Sequence, residues 1–439
     1  MVSRTRVLRY IMFQKITHRH IYLLAALWMI FLYGHTLREG ELEKEGGGGQ
    51  IGDPMGEGYI QIFPPHRKVS PAEAYNALKD VRYQVLRDYL GKDLPPWLDP
   101  EVNGSQPGLG NILEGRQVRR AVIATTWRSG STFLGDLLNS YPGAFYHFEP
   151  FHYIIVQDSV PRQMEAMATG LLSTLLTCKY DDRTQPYLHH ITSGRNHFLL
   201  GKNFRMAKLC SNGRAFCLES NIVATACAMH PFNFAKTVRL RLSALKPLLQ
   251  DPSLDLRVIN LVRDPRGVMS SRSRMPWCKG PTCKDIPAVC QAANQDAQSA
   301  KEYRAKFPKN FLIVRYEDLA LHPYKVTREI FEFLNLPLVT DLAVFIEDHT
   351  SQQAQKTESG DSYTYAALFS TYRNSSAAAT LWRKTISFGK VKEIQDHCGL
   401  AMRYFGYRTF LTAKDLNNTA IPVIEAAPGR TFGKRAKGY

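Results

Sequence analysis

The chain has 439 residues, of which 44% are hydrophobic and 22% are charged. This composition is typical of a folded protein and excludes a mainly disordered chain. The formal net charge is +17, and the first twenty residues and the last ten contribute nine of those charges. The remaining charge fits an anionic ligand and does not single out nucleic acid, so no nucleic-acid partner is predicted.

An apolar run near the N-terminus is the first feature in chain order. Ile21 to Tyr33 contains no charged residue. The run is shorter than the roughly 20 residues that span a bilayer comfortably, so a cleaved signal peptide, a buried core helix and an uncleaved signal-anchor compete. Bulky side chains at Trp28 and Phe31 stand where a cleavage site needs small residues. We therefore favour a signal-anchor over residues 21–35, with a cleaved signal peptide second.

The residues around this run predict the topology. Arginines and one lysine precede it and glutamates follow it, so the positive-inside rule places residues 1–20 in the cytoplasm and the rest in a lumen. A short span also fits the thinner membranes of the early secretory pathway. Residues 36–69 are rich in Gly, Glu and Pro, which indicates a flexible luminal stem.

Glycosylation and cysteine patterns agree with a luminal body. Sequons occur at Asn103, Asn374 and Asn417, although each alone is common by chance. The eight cysteines favour some disulfides in a lumen, while their connectivity stays open. Their spacing lacks a CxxC pair, so no zinc or other metal site is predicted. The cysteines are Cys178, Cys210, Cys217, Cys227, Cys278, Cys283, Cys290 and Cys398.

Regular structure is predicted from Ser70 onward. Ser70 and Glu73 form a capping box with Pro71 at the first helical position. Short apolar strands alternate with helices after that, which predicts an α/β fold with a parallel sheet. We place the catalytic body at residues 70–410 and a C-terminal tail at 411–439. The predicted strands are Ala121–Thr125, Phe145–Phe148, Ala235–Leu240, Leu256–Val262 and Phe311–Tyr316.

The stretch TTWRSGSTFLGDLL follows the first of these strands. A strand–loop–helix turn with small residues directs backbone N–H groups and the positive helix end at an anion. Arg128 adds a planar donor fork, and Gly130 allows close approach of the backbone. The ATP-loop lysine and a metal-binding aspartate are missing, so a γ-phosphoryl group is not the expected ligand. A plain turn of this composition is the competing interpretation.

A second motif, LVRDPRGVMSSR, begins at the fourth strand. Arg263 lies at the strand end, and Ser271 follows about two helical turns later. The two side chains are therefore placed to hold a second phosphate. Asp264 and Pro265 are typical of a helix start. The competing interpretation is a helix cap with surface arginines.

Taken together, the two motifs resemble the sulfotransferases that use 3′-phosphoadenylyl sulfate (PAPS). More closely, they resemble the Golgi carbohydrate 6-O-sulfotransferases that act on GlcNAc, Gal and GalNAc. The resemblance runs from about Arg120 to Tyr407 and includes FEP at 148–150, KTVRLRL at 236–242 and RYEDLA at 315–320. It implies a P-loop-like sulfotransferase fold, a type II Golgi membrane location, a glycan acceptor and no metal.

The resemblance also implies the roles of the motif residues. The first motif would hold the 5′-phosphosulfate, and Arg263 and Ser271 would hold the 3′-phosphate. A sulfuryl group carries less charge than a phosphoryl group, so neither magnesium nor the lysine is needed. The residues predicted to bind the donor are Arg128, Ser129, Gly130, Ser131, Thr132, Phe133, Arg263 and Ser271.

Glu149 is the predicted catalytic base, with Arg128 stabilising charge on the departing phosphate. The resemblance assigns this role to Glu149, because Glu149 is the glutamate of the FEP motif. The residues alone favour a surface acid before a proline. The reaction is then an in-line displacement at sulfur by a sugar hydroxyl.

Other side chains keep two interpretations each. His147 and His152 either serve as a base or as acceptor contacts, or are solvent-exposed or core histidines with satisfied hydrogen bonds, and the second interpretation is favoured. Lys236 and Arg239 bind donor or glycan, or form ordinary ion pairs. Trp382 packs near the adenine or fills the core, with the core favoured. Glu317 and Asp318 are expected to brace the sheet end. The segment from Met275 to Cys290 either shapes acceptor choice or is a loop held by a disulfide.

The leading hypothesis is a sulfotransferase acting on the 6-hydroxyl of a sugar, with GlcNAc preferred. A related enzyme for Gal, GalNAc or another glycan is second, and a catalytically inactive glycan-binding protein is third. The missing lysine counts against a nucleotide kinase. Nothing in the sequence predicts the oligomeric state.

Overall fold

The computed structural model describes residues 67–90, 118–154, 159–350 and 375–425. The predicted cytoplasmic tail, signal-anchor and nearly all of the stem lie outside these residues, as do the sequons at Asn103 and Asn374. Within the described ranges no helix is long and apolar enough to cross a membrane. The sequon at Asn417 is described, and this residue is exposed at the end of a short helix.

Five parallel strands form a sheet in the order β2-β3-β1-β4-β5. The first described strand is therefore the central one, and the chain crosses over it once, between β3 and β4. Residues 121–124 of this strand are at most 2% exposed, as expected for a strand covered on both faces. The strands are β1 (Arg119–Thr125), β2 (Ala144–Phe148), β3 (Phe232–Thr237), β4 (Leu256–Val262) and β5 (Phe311–Arg315).

Four predicted strands lie within two residues of the observed ones, and the third does not. It was predicted to run from Ala235 to Leu240, and it ends at Thr237. The Oγ1 atom of Thr237 accepts the backbone N–H groups of Arg239 and Leu240, both at 3.3 Å. These bonds turn the chain out of the sheet, because the N–H groups no longer point along the ladder.

Helices cover the sheet and continue to the C-terminal end of the described chain. The capping box is confirmed: the Ser70 N–H donates to the Glu73 carboxylate and the Glu73 N–H donates to the Ser70 hydroxyl. The helices are α1 (Pro71–Leu90), α2 (Ser131–Asn139), α3 (Glu165–Leu176), α4 (Gln185–Ile191), α5 (His197–Lys202), α6 (Phe204–Cys210), α7 (Arg214–Leu218), α8 (Ser220–Ala228), α9 (Lys246–Gln250), α10 (Pro265–Arg272), α11 (Pro281–Lys284), α12 (Ile286–Lys306), α13 (Tyr316–Leu321), α14 (Pro323–Leu334), α15 (Thr340–Thr350), α16 (Ser375–Thr380), α17 (Trp382–Thr385), α18 (Phe388–His397), α19 (Gly399–Phe405) and α20 (Ala413–Asn417).

The predicted disulfides are confirmed, and they include all eight cysteines. Three bonds close loops of fewer than 50 residues, and the fourth joins α12 to the start of α19 across a separation of 108 residues. The pairs are Cys178–Cys227, Cys210–Cys217, Cys278–Cys283 and Cys290–Cys398.

The packed body continues to Glu425, beyond the boundary placed at residue 410 from the sequence. The Arg383 guanidinium donates to four backbone carbonyls of this extension: those of Asp415, Leu416, Asn418 and Ile421. A bridge between Tyr407 and Ile424 adds a further contact. The composition of the extension gave no sign of this, since one buried guanidinium in another helix supplies the donors.

Candidate active site

The predicted functional residues meet at one edge of the sheet. Because all five strands are parallel, their carboxyl ends lie together, and ligands of α/β proteins bind at this edge. The loop carrying Arg128 follows β1, Glu149 follows β2, and Arg263 follows β4. Strand β3 lies between β2 and β1, and it brings Lys236 and Arg239 to the same region.

The loop after β1 has a backbone shaped for close approach. Arg128 has φ 70° and Gly130 has φ 85°, so both lie in the left-handed region. Helix α2 begins at Ser131, and no side chain of the described residues caps its N-terminus. Backbone N–H groups of a first helical turn are donors to an anion. This geometry agrees with the predicted anion-binding turn.

Gly130 is required for a second reason. A Cβ atom at this position would lie 2.3 Å from the ring of Tyr316, which is far inside van der Waals contact. Tyr316 opens α13, directly after β5. Of the RYEDLA motif, Glu317 and Asp318 were singled out from the sequence, and Tyr316 was not. Its aromatic character directly after a strand end was the available signal.

The two sequence motifs contact each other directly. The Nε atom of Arg128 donates to the Ser271 hydroxyl at 3.0 Å. The Nη1 atom of Arg263 donates to the carbonyl oxygen of Arg128 at 2.9 Å, and its Nη2 atom donates to that of Ala378 at 3.2 Å. The Arg263 guanidinium also lies 4.4 Å from the Tyr316 ring centroid. The two predicted anion sites are therefore adjacent.

The other residues predicted to bind PAPS differ in their exposure and in their contacts. Ser129 and Ser131 are buried, at 1% and 5% exposure, and the Ser129 hydroxyl lies 3.2 Å from that of Thr126. Thr132 is partly exposed in the first turn of α2. The ring of Phe133 packs against Phe345, with centroids 5.8 Å apart. The contact predicted between Phe133 and the donor stays a prediction.

A buried polar cluster supports the start of α10. Asp264 caps this helix and forms an ion pair with Arg266 in which both side chains are fully buried. Glu317 accepts the Asp264 N–H at 3.0 Å and the Tyr407 hydroxyl at 2.9 Å. Burial, together with the charge of Asp264, raises the pKa of Glu317 to about 7. Glu317 thus braces the sheet end as expected.

Glu149 is not a surface acid, so that interpretation from the residues alone is wrong. Its side chain is 14% exposed, and its backbone has φ 47°. Oε1 accepts from the Lys236 ammonium at 2.7 Å, and Oε2 forms an ion pair with the Arg239 guanidinium. The ion-pair interpretation of Lys236 and Arg239 is confirmed, with the predicted base as their shared partner.

The two cations are themselves largely buried. Lys236 is 1% exposed, and its Nζ atom lies 3.7 Å from the centre of the Phe148 ring. Burial lowers the pKa of Lys236 well below its ordinary value. It also lowers the pKa of Arg239 to about 10, so this guanidinium keeps its charge at neutral pH. The Arg239 guanidinium lies 5.1 Å from the Trp127 ring centroid.

The histidines and Trp382 follow their structural interpretations. The His147 ring is fully buried between the hydroxyls of Tyr187 and Tyr180, and burial lowers its pKa to about 3. His152 pairs with His190 at 2.9 Å. Trp382 is 1% exposed and packs beneath the Arg266 guanidinium at 4.3 Å. In the described ranges, no three His, Cys, Asp or Glu side chains lie close enough to hold a metal.

Comparison with known proteins identifies the class. A family model described as "Sulfotransferase domain" matches residues 119–406, which include all five strands and both motifs. Mouse carbohydrate sulfotransferase 1 is 30% identical over 72% of this chain and 86% of its own length. Human carbohydrate sulfotransferase 3 is 29% identical over 70% of this chain and 71% of its own.

A further relative is mouse carbohydrate sulfotransferase 5, at 28% identity over 70% of this chain and 84% of its own. Among solved structures, the sulfotransferase domain of the Synechococcus PCC 7002 olefin synthase matches 66% of this chain and 98% of its own, at 19% identity and a TM-score of 0.36. On the sequence matches, the chain is a sulfotransferase. It belongs to the carbohydrate sulfotransferase family.

Proposed function

We propose that the protein transfers a sulfuryl group from PAPS to the 6-hydroxyl of a sugar in a glycan, and that this sugar is N-acetylglucosamine. The hydrogen bond between Arg128 and Ser271 carries the proposal, because it joins a loop suited to one anion and a helix suited to another. PAPS presents two such anions, a 5′-phosphosulfate and a 3′-phosphate, on one ribose.

The contacts divide the donor between the two motifs. Arg128, Gly130 and the first turn of α2 offer donors to the phosphosulfate. Arg263 and Ser271 offer a guanidinium fork and a hydroxyl to the 3′-phosphate. Arg263 is held by two backbone carbonyls and by the Tyr316 ring, so it is oriented before a ligand binds.

The chemical step balances with these residues. The oxygen of the sugar hydroxyl forms a bond to sulfur while the bond between sulfur and the phosphate oxygen breaks. Glu149 takes the hydroxyl proton, and the bonding pair of electrons leaves with the phosphate of 3′-phosphoadenosine 5′-phosphate. Arg128 stabilises the charge that develops on this leaving group.

Location and domain organisation form a second part of the proposal. Residues 1–20 face the cytoplasm, residues 21–35 anchor the chain in the Golgi membrane, and residues 36–69 form a luminal stem. The apolar run and the basic residues before it support this order. Disulfides that include every cysteine in the chain fit an oxidising lumen.

The decisive experiment measures transfer of labelled sulfate from PAPS by the full chain. The acceptors are terminal GlcNAc, Gal, GalNAc and a heparan-type chain, and the sulfated position of each product is mapped. We expect transfer to the 6-hydroxyl of GlcNAc. Transfer to Gal or GalNAc instead would replace the sugar and keep the reaction. Donor binding without transfer to any acceptor would favour an inactive glycan-binding protein.

Variants connect the activity to the site. We expect Glu149→Gln and Arg128→Ala each to lower kcat at least 100-fold. The first removes the base, and the second removes the guanidinium that stabilises the charge developing on the leaving group. Glu393→Gln is the matched control, since this exposed glutamate lies on α18. Full activity of Glu149→Gln would remove Glu149 from the mechanism.

A further inference from the structure

The carboxylate proposed as the base is bound to two cations at once. Lys236 contacts Oε1 and Arg239 contacts Oε2 of Glu149. Opposite charges at contact distance favour the ionised form of a carboxylate and make it a weaker base. A base so held is poorly matched to taking a proton from an alcohol. Because Glu149 is the base in the proposed function, on which this inference rests, one of the two cations must leave its carboxylate before it takes the proton.

The two cations differ in their freedom to move. Lys236 lies within β3, is 1% exposed, and is fixed against the Phe148 ring. Arg239 lies two residues beyond the end of β3, and its side chain is 11% exposed. The Nε atom of Arg239 is buried and has no hydrogen-bond partner among the described residues. Arg239 therefore has an unused donor and the looser anchorage.

Arg239 also lies beside the loop proposed to hold the sulfuryl group. Its guanidinium packs over the ring of Trp127, which immediately precedes Arg128. Because Trp127 belongs to this loop, we expect an anion bound there to lie within reach of the unused Nε donor. Buried unpartnered donors are costly, so an incoming sulfuryl oxygen would satisfy Arg239 in place of the carboxylate.

We infer that Arg239 exchanges its partner, from the Glu149 carboxylate to the sulfuryl group of PAPS. It pairs with Glu149 while no donor is bound, and it turns to the sulfuryl oxygens when PAPS binds. Glu149 then keeps only Lys236 and becomes a stronger base at the moment the acceptor is sulfated. The exchange also makes Glu149 inactive in the absence of the group to be transferred.

Other charged groups near this pair contribute to its pH dependence. The ion pair of Asp136 and Lys202, at 2.7 Å, acts on Lys236 from α2 and α5. The backbone N–H of His152 donates to the Glu149 carbonyl at 2.9 Å. Burial lowers the pKa of the His152 ring, and the charge of Lys236 lowers it further. His190 pairs with His152, and burial together with His152 lowers the pKa of His190 to about 4. His152→Gln therefore removes the His152 titration together with its contact to His190.

The test compares the acid limbs of two pH profiles of the full chain. The limb of kcat/KM for the donor reports the enzyme before donor binding, and the limb of kcat reports the complex. The wild type should show the kcat limb at higher pH by about one unit, since Glu149 has lost one cation. In Arg239→Gln the two limbs should coincide, and kcat should fall roughly 10- to 100-fold.

Three further variants separate this role from a structural one. Arg239→Lys should restore the separation of the limbs and most of kcat. Arg241 lies two residues after Arg239 and forms a different ion pair, with Asp296 at 3.0 Å. Arg241→Gln removes that pair and should leave the separation of the two pH limbs unchanged. His152→Gln should leave it unchanged as well.

The outcomes distinguish this inference from the proposed function. Coincident limbs in the wild type, or separated limbs in Arg239→Gln, would overturn the exchange while Glu149→Gln stays inactive and the proposed function stands. Full activity of Glu149→Gln, or no transfer from PAPS to any acceptor, would overturn both.

Discussion

The Nε atom of Arg128 donates a hydrogen bond to the Oγ atom of Ser271 at 3.0 Å, across 143 positions of sequence. One residue belongs to the loop after the central strand and the other to the last turn of α10. The bond couples the two halves of the proposed donor site. A change at one half should therefore be felt at the other.

Removing the Ser271 hydroxyl tests this coupling. We expect Ser271→Ala to raise the KM for the donor about tenfold, because a hydrogen bond to a charged group contributes about 1.5 kcal/mol. The measurement is sulfate transfer over a range of PAPS concentrations. Ser273→Ala is the control, since Ser273 is exposed and its hydroxyl donates to the nearby Ser270 carbonyl at 2.9 Å. An unchanged KM in Ser271→Ala would place the 3′-phosphate elsewhere.

Adding one methyl group at Gly130 should impair the loop. The position has φ 85°, and a Cβ atom would collide with the Tyr316 ring at 2.3 Å. We expect Gly130→Ala to weaken donor binding at least tenfold and to lower Tm, by displacing Tyr316 from Arg263. Gly170→Ala is the control, because no atom of the described residues lies within 4 Å of an added Cβ at this α3 position and alanine favours helices. Unimpaired donor binding in Gly130→Ala would contradict the role of this turn.

Glu317 should make folding stability depend on pH. Its pKa is raised to about 7 in the fold by burial and by Asp264, from an ordinary value of 4.5. The folded state therefore binds more protons between these values, and stability falls as pH rises through this window. In the wild type, this titration should lower the free energy of unfolding by about 3 kcal/mol across the window, and Glu317→Gln should abolish that decrease. Denaturant unfolding between pH 5 and pH 8 measures the free energy of unfolding of the wild type and of Glu317→Gln. Parallel pH dependences of these two proteins would contradict the prediction.

The disulfides should differ in their effect on stability. In the chain-entropy model, the cross-link between Cys290 and Cys398 stabilises the fold by about 5 kcal/mol, and that between Cys278 and Cys283 by about 2 kcal/mol. The reason is the separation, 108 residues against 5. Paired Cys→Ser variants compared by denaturant unfolding check the order. A larger loss from the shorter loop would show that strain or packing, rather than chain entropy, decides.

Much of the fold could be predicted because its signals are local. Apolar runs such as Leu256–Val262 predict buried strands without knowledge of their neighbours, and the observed β4 has the same bounds. The capping box at Ser70 is complete within four residues. The end of β3 was misplaced because Thr237 redirects the chain with its hydroxyl, and the apolar pattern continues past it.

The sequence by itself determined the class of fold, the positions of the two motifs proposed to bind anions and the presence of disulfides, because spacing along a chain encodes strands, turns and cysteine content. Only the tertiary structure decided the pairing of Glu149 with Lys236 and Arg239, the stacking of Arg263 on Tyr316, and the cysteine connectivity. Each of these joins residues from different strands or helices. Distances between such residues depend on strand order, and strand order is fixed by packing of the whole chain rather than by any local pattern.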